Sequence, residues 1–76
     1  MIPNDFERHL AFEIKNWQRG GATNFTVQLF GLMSKADFLN FKALSMGFPT
    51  EAMIYKEWLE SESEDAFFEK YGVNKP

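Results

Sequence analysis

Phe38-Leu-Asn-Phe-Lys-Ala-Leu-Ser-Met-Gly47 is the stretch on which the fold turns. Laid out at about 100° per residue, it carries two apolar edges, Phe38-Phe41-Leu44 and Leu39-Ala43-Met46. Asn40 and Lys42 mark a narrow wet strip. A helix that is apolar on most sides belongs in the interior, so this spacing predicts a central helix with the others arranged around it. Gly47 closes it, and Phe48-Pro49 follows; a residue before proline is biased away from the helical region. Upstream, Ser34-Lys-Ala-Asp37 reads two ways, as a capping box from Ser34 to Asp37 or as a cap made by Asp37 itself. Both place a boundary between Met33 and Phe38.

Working outward, the other segments have helical period too. Phe6, Leu10, Ile14 and Trp17 form one stripe of a first helix, which starts after Pro3 with Asn4 or Asp5 as cap and stops at Gly20-Gly21. Ala22-Thr23-Asn24 links it to a second helix, over about 25–33. There Phe25, Leu29, Leu32, Met33 and Ala36 share a face and Phe30 forms its shoulder. Gly31 in mid-helix costs roughly 1 kcal/mol relative to Ala, which predicts a close approach of another helix there, with a kink as the alternative. Thr50 is the expected cap of a fourth helix whose stripe is Ile54, Tyr55, Trp58 and Leu59. After the polar run 60–65, Ser61 or Ser63 caps a short fifth helix holding Phe67, Phe68 and Tyr71. No segment alternates at period two over strand length. The expectation is an all-α bundle of four or five short helices without a sheet, one domain over residues 1–72 and a frayed tail at 73–76. Leu10, Ile14, Trp17, Leu29, Leu32, Phe41, Leu44 and Trp58 are the expected core.

Composition narrows the function. The chain has 76 residues, so it is a single small domain with a thin stability margin. It has no cysteine and one histidine, which removes disulfides, thiolate zinc sites, Cys nucleophiles and multi-His metal sites. No apolar run is long enough to span a bilayer, and a cytoplasmic location is expected. Net charge is −3, and it is unevenly spread. Residues 1–50 hold four acids and five bases, whereas residues 51–76 hold seven acids and three bases. An acidic chain lacks the footprint for general nucleic-acid binding.

Candidate chemistry is sparse. His9 and Glu13 lie four apart on a helix and can meet, but no nucleophile or oxyanion hole accompanies them, and an ordinary pair at the core edge is the simpler reading. Glu13 falls beside the first apolar stripe, so its carboxylate needs a partner: the Trp17 indole, His9 or a lysine from another helix. Glu57, Glu60, Glu62, Glu64, Asp65 and Glu69 place six carboxylates in residues 57–69, interleaved with Trp58, Phe67 and Phe68. That segment reads either as a docking surface for a basic partner or as a solvated joint. Nine Phe, two Trp and two Tyr make 17% of the chain, more than a small core holds. Phe12 lies opposite its own stripe, and Phe30 and Phe48 sit at a shoulder and in a loop, so these three are candidate contacts.

The run Asn24-Phe-Thr-Val-Gln-Leu-Phe-Gly-Leu-Met-Ser-Lys-Ala-Asp37, with Asn40, Gly47-Phe-Pro-Thr-Glu51 and Tyr55-Lys-Glu-Trp58, resembles small helical accessory proteins of bacterial mobile elements and phages. The likeness covers residues 24–58. It implies an accessory role and brings no activity or site residues with it. The reading as a whole is a non-enzymatic protein–protein interaction module that self-associates as a homodimer. Its candidate contacts are Phe12, Phe30, Phe48, Glu57, Glu60, Glu62, Glu64 and Asp65, and no cofactor or metal is expected. The alternative is a nucleic-acid-associated regulator contacting phosphates through Lys15, Arg19, Lys35 and Lys42.

Overall fold

The computed structural model describes residues 2–73. Five helices follow in chain order: α1 (Asp5–Arg19), α2 (Phe25–Lys35), α3 (Phe38–Gly47), α4 (Pro49–Glu60) and α5 (Glu64–Lys70). There is no strand among the described residues, so the fold is all-α, as the helical period of every apolar segment requires.

Local hydrogen bonds fix the helix boundaries. Asn4 and Glu7 form a reciprocal capping box at the start of α1, with the Glu7 amide donating to Asn4 Oδ1 at 2.8 Å and the Asn4 amide to Glu7 Oε1 at 2.9 Å. Asn24 accepts from the Val27 amide and Asp37 from the Asn40 amide. Of the two readings at 34–37, Asp37 is therefore the cap; the Ser34 hydroxyl instead donates back to the Gly31 carbonyl at 2.6 Å. Ser63, not Ser61, caps α5. Thr50 is not a cap. Proline occupies the first position of α4, where its fixed φ suits the first turn, and Phe48 precedes it with no side-chain capping bond.

Two helix ends rely on glycine. Gly20 and Gly21 both adopt positive φ and end α1. At the end of α5, Gly72 has φ 71°, its amide donates to Glu69 O at 3.1 Å, and the next amide, of Val73, donates to Phe68 O at 2.9 Å. That is a Schellman closure. Val73 packs against the core, so the expected tail is tied down at its first residue; 74–76 lie outside the described residues.

The core is built between α1, α2, α4 and α5. Leu10, Ala11 and Ile14 come from α1, Leu29, Phe30 and Met33 from α2, Ala52, Ile54 and Tyr55 from α4, and Phe67 and Phe68 from α5. The central helix is α4, which contacts each of the other four. Tyr55 is its hub, with ring contacts to Trp17, Phe30, Phe41 and Trp58 at centroid distances of 5.7–6.4 Å.

Three core expectations need correction. The helix predicted to be central, α3, buries no residue at all; it lies on the outside and packs against α4. Leu32 is 54% exposed. On α2 the buried set is Val27, Leu29, Phe30 and Met33, so the inward face is turned by roughly a quarter of a turn from the expected stripe. Trp17, Phe41, Leu44 and Trp58 are half-buried and brace the core from its rim. Leu10, Ile14 and Leu29 are buried as expected. Gly31 does lie against another helix: a Cβ built there would stand 3.5 Å from Nε1 of Trp17 on α1.

Candidate functional site

The outward surface of α3 is the feature that packing leaves unexplained. Of the two apolar edges of this helix, one turns inward through Phe41 and Leu44. The other, Leu39-Ala43-Met46, faces away from the domain, and all three residues are exposed. Leu39 is 73% exposed and Met46 78%; beside them Phe38 is 79% exposed. Lys42 is the single charged residue within the helix. Monomeric proteins scatter exposed apolar residues singly, whereas contiguous ones mark contact sites. The wheel pattern that predicted interior placement is equally the pattern of a helix covered on one side by its own domain and on the other by something else.

Grooves run along both flanks of this helix. Between α2 and α3 one is lined by Leu32, Lys35, Ala36, Asn40, Ala43 and Leu44. Between α3 and α4 the lining includes Phe38, Phe41, Tyr55, Leu59 and Glu60. Leu32 and Leu59, both more than half exposed, extend the apolar surface to either side. At the far end the Phe25 ring packs, tilted, against that of Phe48, centroids 5.7 Å apart. The surface thus continues from the start of α3 to the start of α2.

The predicted contact residues fare unevenly. Phe12 is exposed on α1. Phe30 is fully buried, at 0% exposure, against Tyr55, and so offers no surface to a partner. Phe48 is half-buried against the core, with its ring engaged by Phe25. Glu60, Glu62, Glu64 and Asp65 are exposed. Glu57 is not a free acid: Tyr71 donates its hydroxyl to Oε1 at 2.6 Å, and the Lys70 ammonium binds Oε2. Burial raises the Glu57 carboxyl, but the bonds from Lys70 and Tyr71 and the lysine charge outweigh it and leave the group below its ordinary value. Lys56 and Lys70 line one groove together with Glu57 and Glu60, so part of the acidic segment has cationic company within its own domain.

The four basic candidates stand on three helices. Lys15 of α1 lies over the Phe68 ring, 5.7 Å from its centroid. Arg19 occupies the last turn of α1 and Lys35 the last turn of α2, each where a cation suits the helix dipole. Lys42 is exposed on α3. His9 Nε2 stands 3.9 Å from Glu13 Oε2, beyond hydrogen-bond reach. The Glu13 carboxylate, buried among the α1 core residues, takes a hydrogen bond from Asn16 Nδ2 at 2.7 Å, a same-helix partner outside the expected set. The Trp58 indole N–H is buried and has no hydrogen-bond partner among the described residues; the Trp58 ring lies edge-on to that of Trp17, centroids 5.4 Å apart.

Among the described residues no three His, Asp or Glu side chains gather as a metal site, and no helix is long and apolar enough to cross a membrane. Comparison with protein-family models, with curated proteins and with solved structures finds no match.

The residues that sequence reasoning missed are Leu39 and Met46. Their apolar edge has the same period as the inner side of a central helix, so spacing alone does not mark it as outward.

Proposed function

We propose that this protein is a non-enzymatic protein–protein interaction module whose contact surface is the outer face of α3. One observation carries the reading: α3, whose inward residues Phe41 and Leu44 are only half-buried, presents Phe38, Leu39 and Met46 at 73–79% exposure. Leaving such side chains in water forgoes about 1.5–3 kcal/mol each relative to burial, and a partner recovers that free energy. A ten-residue helix is also too short to be stable by itself in water, so a surface that packs on it stabilises it.

The test is capture from host extract by the tagged wild-type chain and by a Leu39→Glu/Met46→Glu variant, with Phe12→Glu as control. The expected result is that the α3 variant loses the partners that wild type and control retain. A folded α3 variant that keeps every partner overturns the reading.

A further inference from the structure

We infer that the outer stripe of α3 packs against the same stripe of a second copy of this chain, in an antiparallel pair related by a two-fold axis passing beside Ala43. The inference rests on the reading of α3 as the contact surface and names its occupant.

Self-complementarity is the first argument. A two-fold interface requires that one patch fit itself, residue i meeting j and j meeting i. Leu39 lies four residues before Ala43 and Met46 three after it, so the stripe is large–small–large in either direction. Set antiparallel, Leu39 of each copy meets Met46 of the other. The two Ala43 residues face each other at the centre, where a methyl side chain lets the helices approach to the usual 8–10 Å.

Area is the second argument. Phe38, Leu39 and Met46 are 73–79% exposed, and Leu32 and Leu59 are 54% and 59% exposed. At roughly 200 Å² for a fully exposed large residue, mid-range for aromatics and an upper figure for Leu and Met, these five present at most about 700 Å². A standard interface buries about 800 Å² per partner, and about 1,000 Å² in total is the least expected of a stable one. The patch is therefore large enough for two copies to bury each other without recruiting the rest of the surface.

Charge opposes the pairing weakly and tells this occupant from an acidic one. Lys42 flanks the seam and Lys35 lines the groove beside it. Their apolar stems lie along the interface while the ammonium groups stay in water. Two copies bring these like charges near one another, which costs little and is screened by salt. Association through α3 should therefore tighten as salt is raised, whereas docking of an acidic partner on the same lysines weakens with salt.

Sedimentation equilibrium of the full chain between about 5 and 200 µM, at low and high salt, tests the inference. Expected are a dimer that strengthens with salt, a Leu39→Glu/Met46→Glu variant shifted to monomer by at least tenfold in dissociation constant, and an unchanged Phe12→Glu control. Because the double variant could also disturb the fold, the second measurement uses the cysteine-free background. A43C should form a disulfide-linked dimer under mild oxidation, and Q18C, on the exposed side of α1, should not. A wild-type chain monomeric up to 200 µM, or equal cross-linking of A43C and Q18C, overturns the second copy as occupant. If the chain is monomeric yet the double variant still loses its captured partners, the dimer fails and the contact surface stands; if it keeps them, both fail.

Discussion

Tyr71 donates its phenolic hydrogen to Glu57 Oε1 at 2.6 Å, and this contact fastens α5 to α4. Tyr71 is buried against Phe67, ring centroids 5.0 Å apart, and Lys70 occupies the other carboxylate oxygen. The three groups shift one another. Burial, the bond to Glu57 and the negative charge of Glu57 raise the Tyr71 hydroxyl far above its ordinary value. Glu57 moves the other way, below its ordinary value.

Both shifts make stability depend on pH at opposite ends. Below about pH 4.3 the unfolded Glu57 takes up a proton that the folded one resists, so stability falls on acidification. Above about pH 10 the unfolded Tyr71 loses a proton that the folded one keeps, so stability falls again. Chemical denaturation across pH 3–11 should show both limbs. Glu57→Gln should flatten the acid limb. Tyr71→Phe should shrink the alkaline limb without abolishing it, because burial also raises Tyr55. At neutral pH, Tyr71→Phe should cost about 0.5–1.5 kcal/mol, the net worth of one hydrogen bond. Lys70→Ala should cost no more than about 1 kcal/mol, since the Lys70 side chain is half exposed.

Gly31→Ala should stabilise the protein. The added methyl would meet the Trp17 indole at 3.5 Å, an ordinary van der Waals contact, and Ala gains about 0.8–1 kcal/mol of helix propensity over Gly. A melting temperature higher by about 4–8 °C is expected for a gain of this size in so small a domain. Gly31→Leu should do the opposite, because the longer side chain must displace the indole. A lower melting temperature for Gly31→Ala would show that the indole has no room for even one methyl.

Phe30→Ala should destabilise far more than Phe41→Ala. Phe30 is wholly enclosed, and truncating such a residue costs about 3–5 kcal/mol, a large part of the total stability of a domain of this size. Phe41 is half-buried at the rim, so less contact is lost and water can fill the space. Urea denaturation of the two variants orders them. Equal costs would mean that α3 is anchored more deeply than its exposure indicates.

The contrast between these two phenylalanines shows what the sequence does and does not reveal. Helix starts were legible where Asn4, Asn24, Asp37 and Ser63 act on amides three residues away, a distance that spacing encodes, although two candidates stood open at three of these starts and Thr50 does not cap α4. The all-α class was legible for the same reason. Which side of a helix faces inward depends on neighbours far along the chain. Phe30 is inside because Tyr55 stacks on it, and Leu32 is outside because α1 and α4 cover the other face of α2. Glu57 on α4 and Tyr71 at the C-terminal cap of α5 stand fourteen residues apart, so composition alone could only count Glu57 as one acid among six. For α3 both apolar edges are present in the sequence, but a pattern does not tell a buried edge from an exposed one.

The acidic joint gives the last prediction, and it separates the two surfaces on which a partner could dock. Glu60 ends α4, where the helix dipole is negative, while Glu64 opens α5, where it is positive. Replacing both with Gln removes one unfavourable and one favourable interaction, each about 0.3–1 kcal/mol. Glu62 is exposed in the turn between them. The triple variant Glu60→Gln/Glu62→Gln/Glu64→Gln should therefore melt within a few degrees of wild type. Glu57 keeps Lys70 and Tyr71, so α5 stays attached. If α3 is the contact surface, partner capture and self-association by this variant should match wild type at both low and high salt. Loss of capture by the folded triple variant, with association rates that fell steeply with salt before the change, would instead make the carboxylates the docking surface, and α3 would then need another explanation for its exposed Leu39 and Met46.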